Sequence, residues 1–134
     1  MTTKLDHFIE KSVAEKIHSY LIQLPGTEIT DHAKGPTIGY RMKHQSNKFA
    51  TLHGGKSYQS LVIHVDPGNP NSILGKIKQE DIQKLLAFDI SEIRKHPLKK
   101  HEVFIPLEKL DNVQPLKSIK SLIDFAIHKQ DTGS

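Results

Sequence analysis

The chain has 134 residues, with 19 Lys/Arg against 15 Asp/Glu and a formal charge of +4. That length suits one domain with a core of its own, so residues 1–134 read as a single unit, ordered over 4–130 with a frayed, disordered tail at 131–134. There is no cysteine, which excludes a disulfide framework, a thiol nucleophile and any Cys-ligated metal centre.

Residues 4–24, KLDHFIEKSVAEKIHSYLIQL, carry Leu5, Phe8, Ile9, Val13, Ile17, Tyr20, Leu21 and Leu24 at three- and four-residue steps, the stripe of an amphipathic helix. Pro25-Gly26 stops it. TEITDHAKGP reads as polar and irregular. The period then drops to two: TIGYRMKH, KFATLH and YQSLVIHV are expected strands joined by QSN and GGKS turns, a three-strand meander. Pairing the last two places Ala50, Leu52, Leu61, Ile63 and Val65 on a core face. Phe49, Thr51, His53, Tyr58, Ser60, Val62 and His64 fall on the other.

DPGNPNS is a loop by composition, and EDIQKLLAF a short helix with acids in its first turn. HEVFIPL alternates Val103, Ile105 and Leu107 as a fourth strand, with Pro106 marking a sheet edge or a strand end. QPLKSIKSLIDFAIHKQ, opened by Pro115, buries Leu116, Ile119, Leu122, Ile123, Ala126 and Ile127 as a last helix. The fold class is α+β, an antiparallel sheet of the meander plus a fourth strand, with the N- and C-terminal helices packed on one face.

Gly55-Lys56-Ser57 has the ending of a phosphate-gripping loop. Such a loop starts with glycine five residues earlier and runs into a helix, whereas Ala50 stands there and a β-rich segment follows. The segment reads as a hairpin. Nine histidines invite a metal, but no H-E-x-x-H spacing is present, so the expectation is surface histidines and neither metal nor cofactor. No G-x-S-x-G elbow or paired carboxylates name a reaction, so no catalytic residue is assigned and a non-enzymatic role is expected.

Charge is segregated. From His32 to Val65 there are Lys34, Arg41, Lys43, Lys48 and Lys56 and no carboxylate, and RKHPLKKH (94–101) adds Arg94, Lys95, Lys99 and Lys100. Interleaved with Tyr40, Phe49 and Tyr58, these cations make a candidate surface for weak nucleic-acid or anion binding; Arg41, Lys43, Lys48, Lys56, Tyr58, Arg94, Lys95, Lys99 and Lys100 are its candidate residues. The bland alternative is lysines that keep a small sheet soluble. The rival of another class is a small-ligand or metal-handling face of His53, His64 and Tyr58. Partners are then nucleic acid or another protein, with Phe49, Tyr58 and Val62 a candidate homodimer contact. No run approaches ~18 apolar residues, and the N-terminus lacks the apolar stretch of a signal peptide. A soluble cytoplasmic protein without membrane association is expected.

GPTIGYRMKHQSNKFATLHGGKSYQSLVIHV, followed after a gap by HEVFIPLEKLDNVQPLKSIKSLIDFAIHK, resembles the small MmcQ/YjbR-like domains and the related uncharacterised domain of "predicted transport" and endonuclease-associated proteins. Phe49-Ala50, Leu61 to Val65, Val103 to Leu107, Asp111 and Leu122 to Ile127 occupy the matching places, over roughly residues 35–130. The resemblance implies an α/β sandwich, no established catalytic residues and a suspected DNA-binding role. LIDFAIHKQ is also similar to the last helix of small iron-chaperone domains, whose acidic surface is missing here.

Overall fold

A computed structural model describes residues 8–9, 11–30, 37–54, 59–66, 69, 71–93, 98–110 and 113–132. The first helix, α1, spans Lys11–Gln23; the last, α3, spans Val113–Thr132. Between them lie β1 (Thr27–Thr30), β2 (Thr37–Met42), β3 (Lys48–His53), β4 (Ser60–His64), α2 (Leu74–Leu86) and β5 (Glu102–Pro106). The five strands form one antiparallel sheet in the order β1-β2-β3-β4-β5. The expected class holds, and the strand count rises from four to five. The added strand, TEIT, pairs with β2 through Ile29↔Tyr40 and Glu28↔Arg41.

Two rows of paired residues cross the sheet on its core face: Tyr40, Ala50, Ile63 and Val103, then Ile38, Leu52, Leu61 and Ile105. All eight are fully buried. Alternation with period two produces these rows, and strand pairing stacks them. The expected opposition of even β3 positions to odd β4 positions is what the register shows, in Ala50↔Ile63 and Leu52↔Leu61. The hairpin reading also holds where it is described: β3 pairs antiparallel with β4, which follows the Gly-Lys-Ser segment, and residues 55–58 themselves lie outside the described residues.

α1 and α3 cover the core face. Val13, Ala14, Ile17 and Leu21 from one, and Ile119, Leu122, Ile123, Ala126 and Ile127 from the other, bury against it. Leu5 and the side chain of Leu116, expected in these stripes, lie outside the described residues. Ile9, also expected there, is 78% exposed. The chain at Phe8-Ile9 is not helical, because the Ile9 amide donates to Gln59 Oε1 (2.9 Å) and the Phe8 ring is packed over Gly54.

Phe49 corrects a face assignment. Tyr40 pairs with Ala50 but Arg41 pairs with Lys48, so β3 spends one extra residue at Phe49. This bulge turns Phe49 out of the alternation and into the core, where it is fully buried.

α2 is longer than the EDIQKLLAF helix and starts at Leu74, so Glu80 and Asp81 sit mid-helix and its first turn carries no acid. It ends at Ala87, in the left-handed conformation (φ 55°), whose amide bonds back to the Gln83 carbonyl. The helix closes the β5 edge. The Phe104 amide, on the unpaired side of β5, donates to Gln79 Oε1 at 2.6 Å. Covering the edge in this way removes a template for strand addition. Pro106 therefore occupies both an edge strand and a strand end, as expected.

Candidate functional site

The second face of the sheet carries the polar chemistry. Thr37, His53, Thr51, Val62, His64 and Glu102 are all half-buried on it. Its two ends differ. At one, His53 pairs with Ser60 and its Nδ1 lies 3.0 Å from Thr37 Oγ1. At the other, His64 pairs with Glu102. His53 and His64 thus stand four positions apart along β4, about 13 Å at the rise of a strand. They share a face and do not form one site. Tyr58, the third member of that expected set, lies outside the described residues.

His64 has other neighbours. Its Nε2 is 3.3 Å from Thr51 Oγ1, and its Nδ1 is 3.5 Å from Glu102 Oε2. The His101 ring lies beside it, with centroids 6.0 Å apart. One coordinating atom from each of His64, His101 and Glu102 can be chosen so that all three lie within 4.8 Å of one another. Burial pushes the His64 pKa down to about 4; Glu102 opposes this, while His101, Lys48 and Lys99 reinforce it. At neutral pH the imidazole is uncharged.

These groups stand on rigid supports. His101 is tied by its carbonyl, which accepts the Val65 amide at 2.8 Å. A tight turn closes through the Glu102 amide to the Lys99 carbonyl (3.0 Å), and Glu102 Oε1 accepts the Lys99 amide (3.3 Å). One carboxylate oxygen thus holds the turn, while the other faces His64. Gly75, in the first turn of α2, rests directly on that turn. A Cβ there would meet the Lys100 carbonyl oxygen, the Glu102 nitrogen and the His101 carbonyl carbon, the last at 2.6 Å.

The expected cationic residues divide. Lys43, Lys48, Lys99 and Lys100 are exposed. Lys48 runs along the second face over Gly39, whose missing side chain leaves room for the lysine stem. Lys48 and Lys99, 51 positions apart in sequence, both sit near enough to His64 for their charge to act on it. Arg41 is held by Glu28 (Nη2 to Oε1, 2.8 Å). Lys34, Lys56, Arg94 and Lys95 lie outside the described residues. The aromatics fare differently: Tyr40 and Phe49 are fully buried, so neither is available to stack on a base or to join the dimer contact expected of Phe49, Tyr58 and Val62.

A separate cleft of about 550 Å³ lies between α1 and α3, lined by Ser12, Lys16, Tyr20 and Lys120 among others. The Lys120 ammonium sits 4.9 Å from the Tyr20 ring centroid. Among the described residues, the cleft lining includes one carboxylate, Glu15, and no histidine, whereas the second face gathers both.

His101 and Glu102 were absent from the expected site residues. The signal for them is register. Once HEVFIPL is read as a strand beside YQSLVIHV, with apolar residues matched to apolar, His64 falls opposite Glu102. No helix among the described residues is long and apolar enough to cross a membrane. Comparison of the chain with protein-family models, curated proteins and solved structures finds no significant match.

Proposed function

We propose that this chain is a non-enzymatic binding module that engages a phosphate-bearing partner, nucleic acid first, through the His64 end of its second sheet face. The observation that carries this reading is that Lys48, two residues before the Ala50↔Ile63 pair, and Lys99, whose amide bonds to Glu102 opposite His64, both lie at the His64 end of the sheet. Exposed ammonium groups fixed on a sheet and on a tight turn bind phosphates as point charges. Lys43 and Lys100 are exposed nearby in sequence and extend the same charge. Because Tyr40 and Phe49 are buried, binding through this face rests on the backbone of the nucleic acid and discriminates little between base sequences. The resemblance to MmcQ/YjbR-like domains, with their suspected DNA-binding role, agrees with this reading.

Fluorescence anisotropy with labelled single- and double-stranded oligonucleotides at low salt tests it. Binding is expected in the non-specific range, with Kd about 10⁻⁴ to 10⁻⁶ M, and weakening steeply with salt. The double variant Lys48→Gln/Lys99→Gln is expected to lower the slope of log K against log salt by about two. Absence of binding at low salt, or a slope unchanged in that variant, would overturn the proposal.

A further inference from the structure

We infer that His64, His101 and Glu102 form a binding site for a divalent first-row transition-metal ion, with Zn²⁺ the best fit. The inference goes beyond the anion-binding reading and does not depend on it.

The donor set is two imidazoles and one carboxylate, the combination that suits Zn²⁺ and its neighbours and is too nitrogen-rich for Mg²⁺ or Ca²⁺. Distances agree with the ion's size. Bonds of about 2.0–2.2 Å in a tetrahedron place neighbouring donors about 3.3 Å apart, and His64 Nδ1 lies 3.5 Å from Glu102 Oε2. With one donor atom taken from each residue, His101 included, the three lie within 4.8 Å of one another. A modest rotation of a half-buried ring brings it to bonding range, since its backbone is already fixed by the Val65 bond.

Supporting contacts are in place. Metal binding through Nδ1 of His64 selects the tautomer with the proton on Nε2, and that proton has Thr51 Oγ1 as its acceptor. Such a partner fixes a ligating imidazole and raises its basicity. Glu102 is likewise oriented, with Oε1 engaged by the Lys99 amide and Oε2 free to coordinate. The His64 and Glu102 side chains are 15% and 17% exposed, enough for an ion to enter and little enough to limit competition from water.

The lysines shape the site further. Two neutral imidazoles and one carboxylate leave a bound dication with net charge +1, and Lys48 and Lys99 stand beside it. Three protein ligands leave a fourth position of the tetrahedron open. The surrounding positive charge favours an anion there over a neutral water.

Isothermal titration of untagged protein with Zn²⁺ alone, in a buffer free of phosphate and nucleic acid, tests the inference. About one equivalent is expected to bind. Glu102→Gln keeps the acceptor for the Lys99 amide and removes the charge; His101→Asn acts on a half-buried turn residue outside the core. Each is expected to weaken binding at least tenfold while circular dichroism stays unchanged, and His53→Asn, at the far end of the same face, is expected to bind as the unaltered protein does. Failure to bind Zn²⁺ tighter than about 100 μM, or an affinity in either Glu102→Gln or His101→Asn equal to that of the unaltered protein, would overturn it. Because no polyanion is present, either result is separate from the fate of the oligonucleotide experiment.

Discussion

A neutral imidazole is sealed between α1 and β2. His18 is buried, and its Nδ1 lies 2.7 Å from the hydroxyl of fully buried Tyr40. Burial holds its pKa below the ordinary 6.5. The sign of the consequence is fixed. Well above pH 6.5 neither the folded nor the unfolded imidazole carries a proton, and His18 costs the fold nothing in charge burial. As pH falls below 6.5 the unfolded chain takes up the proton first, so stability drops until the pH passes the lower folded-state pKa. Urea titrations between about pH 8 and about pH 5 are expected to show that loss. His64, whose pKa burial lowers to about 4, contributes in the same direction. In His18→Gln the slope over this window is therefore expected to become shallower without vanishing, even though the variant is less stable at the upper end; an identical slope would remove His18 as a contributor. The sequence placed His18 on a helix but not inside it. Its neighbours on the stripe are apolar, and the Tyr40 hydroxyl makes burying it tolerable.

At the scale of elements, the joint between α2 and β5 decides where the candidate site stands. Gly75 lets the helix lie on the turn that presents Lys99, His101 and Glu102, and Gln79 caps the strand that follows. Glycine to alanine within a helix ordinarily adds up to about 1 kcal/mol of stability. Here the new methyl would meet backbone atoms, which cannot swing aside as a side-chain tip can. Gly75→Ala is therefore expected to destabilise by about 1–3 kcal/mol, the usual cost of overpacking, and to displace the turn. Urea denaturation, with exchange of the Phe104 amide as a local probe, checks it; a gain in stability would show that the joint is loose. Little of this joint was legible beforehand. Ile73 supplies no side-chain cap; the Leu74 amide is taken by Ser72 Oγ (3.3 Å), one residue ahead of the usual capping position, so the helix start is only weakly marked. The meander was legible because its apolar alternation survives in either register. β1 was not, since four residues with one large apolar side chain carry too short a pattern, and Phe49 was misplaced because a bulge breaks the alternation on which the reading relied.

Across the whole molecule, the sheet separates two duties. One face is sealed by α1 and α3 and supplies most of the cohesion; the other buries Phe104 and holds His64, His101, Glu102 and the flanking lysines. Four large side chains of α3, Ile119, Leu122, Ile123 and Ile127, are buried there. At about 1.5–3 kcal/mol each they contribute roughly 6–12 kcal/mol, comparable with the entire stability of a small domain, about 5–15 kcal/mol. Substitutions on the two faces should then behave differently. Ile123→Ala is expected to cost about 2–5 kcal/mol, enough to leave a marginal or unfolded chain. The triple variant Lys48→Gln/Lys99→Gln/His101→Asn alters only exposed or half-buried side chains. Each change is expected to stay within about 0.5 kcal/mol, so the triple variant unfolds near the original urea midpoint while losing oligonucleotide and Zn²⁺ binding together. Urea midpoints measured on both proteins, beside the two binding titrations, decide this. A triple variant as unstable as Ile123→Ala would mean that the second face helps hold the sheet together, and the division of labour between its faces would fall.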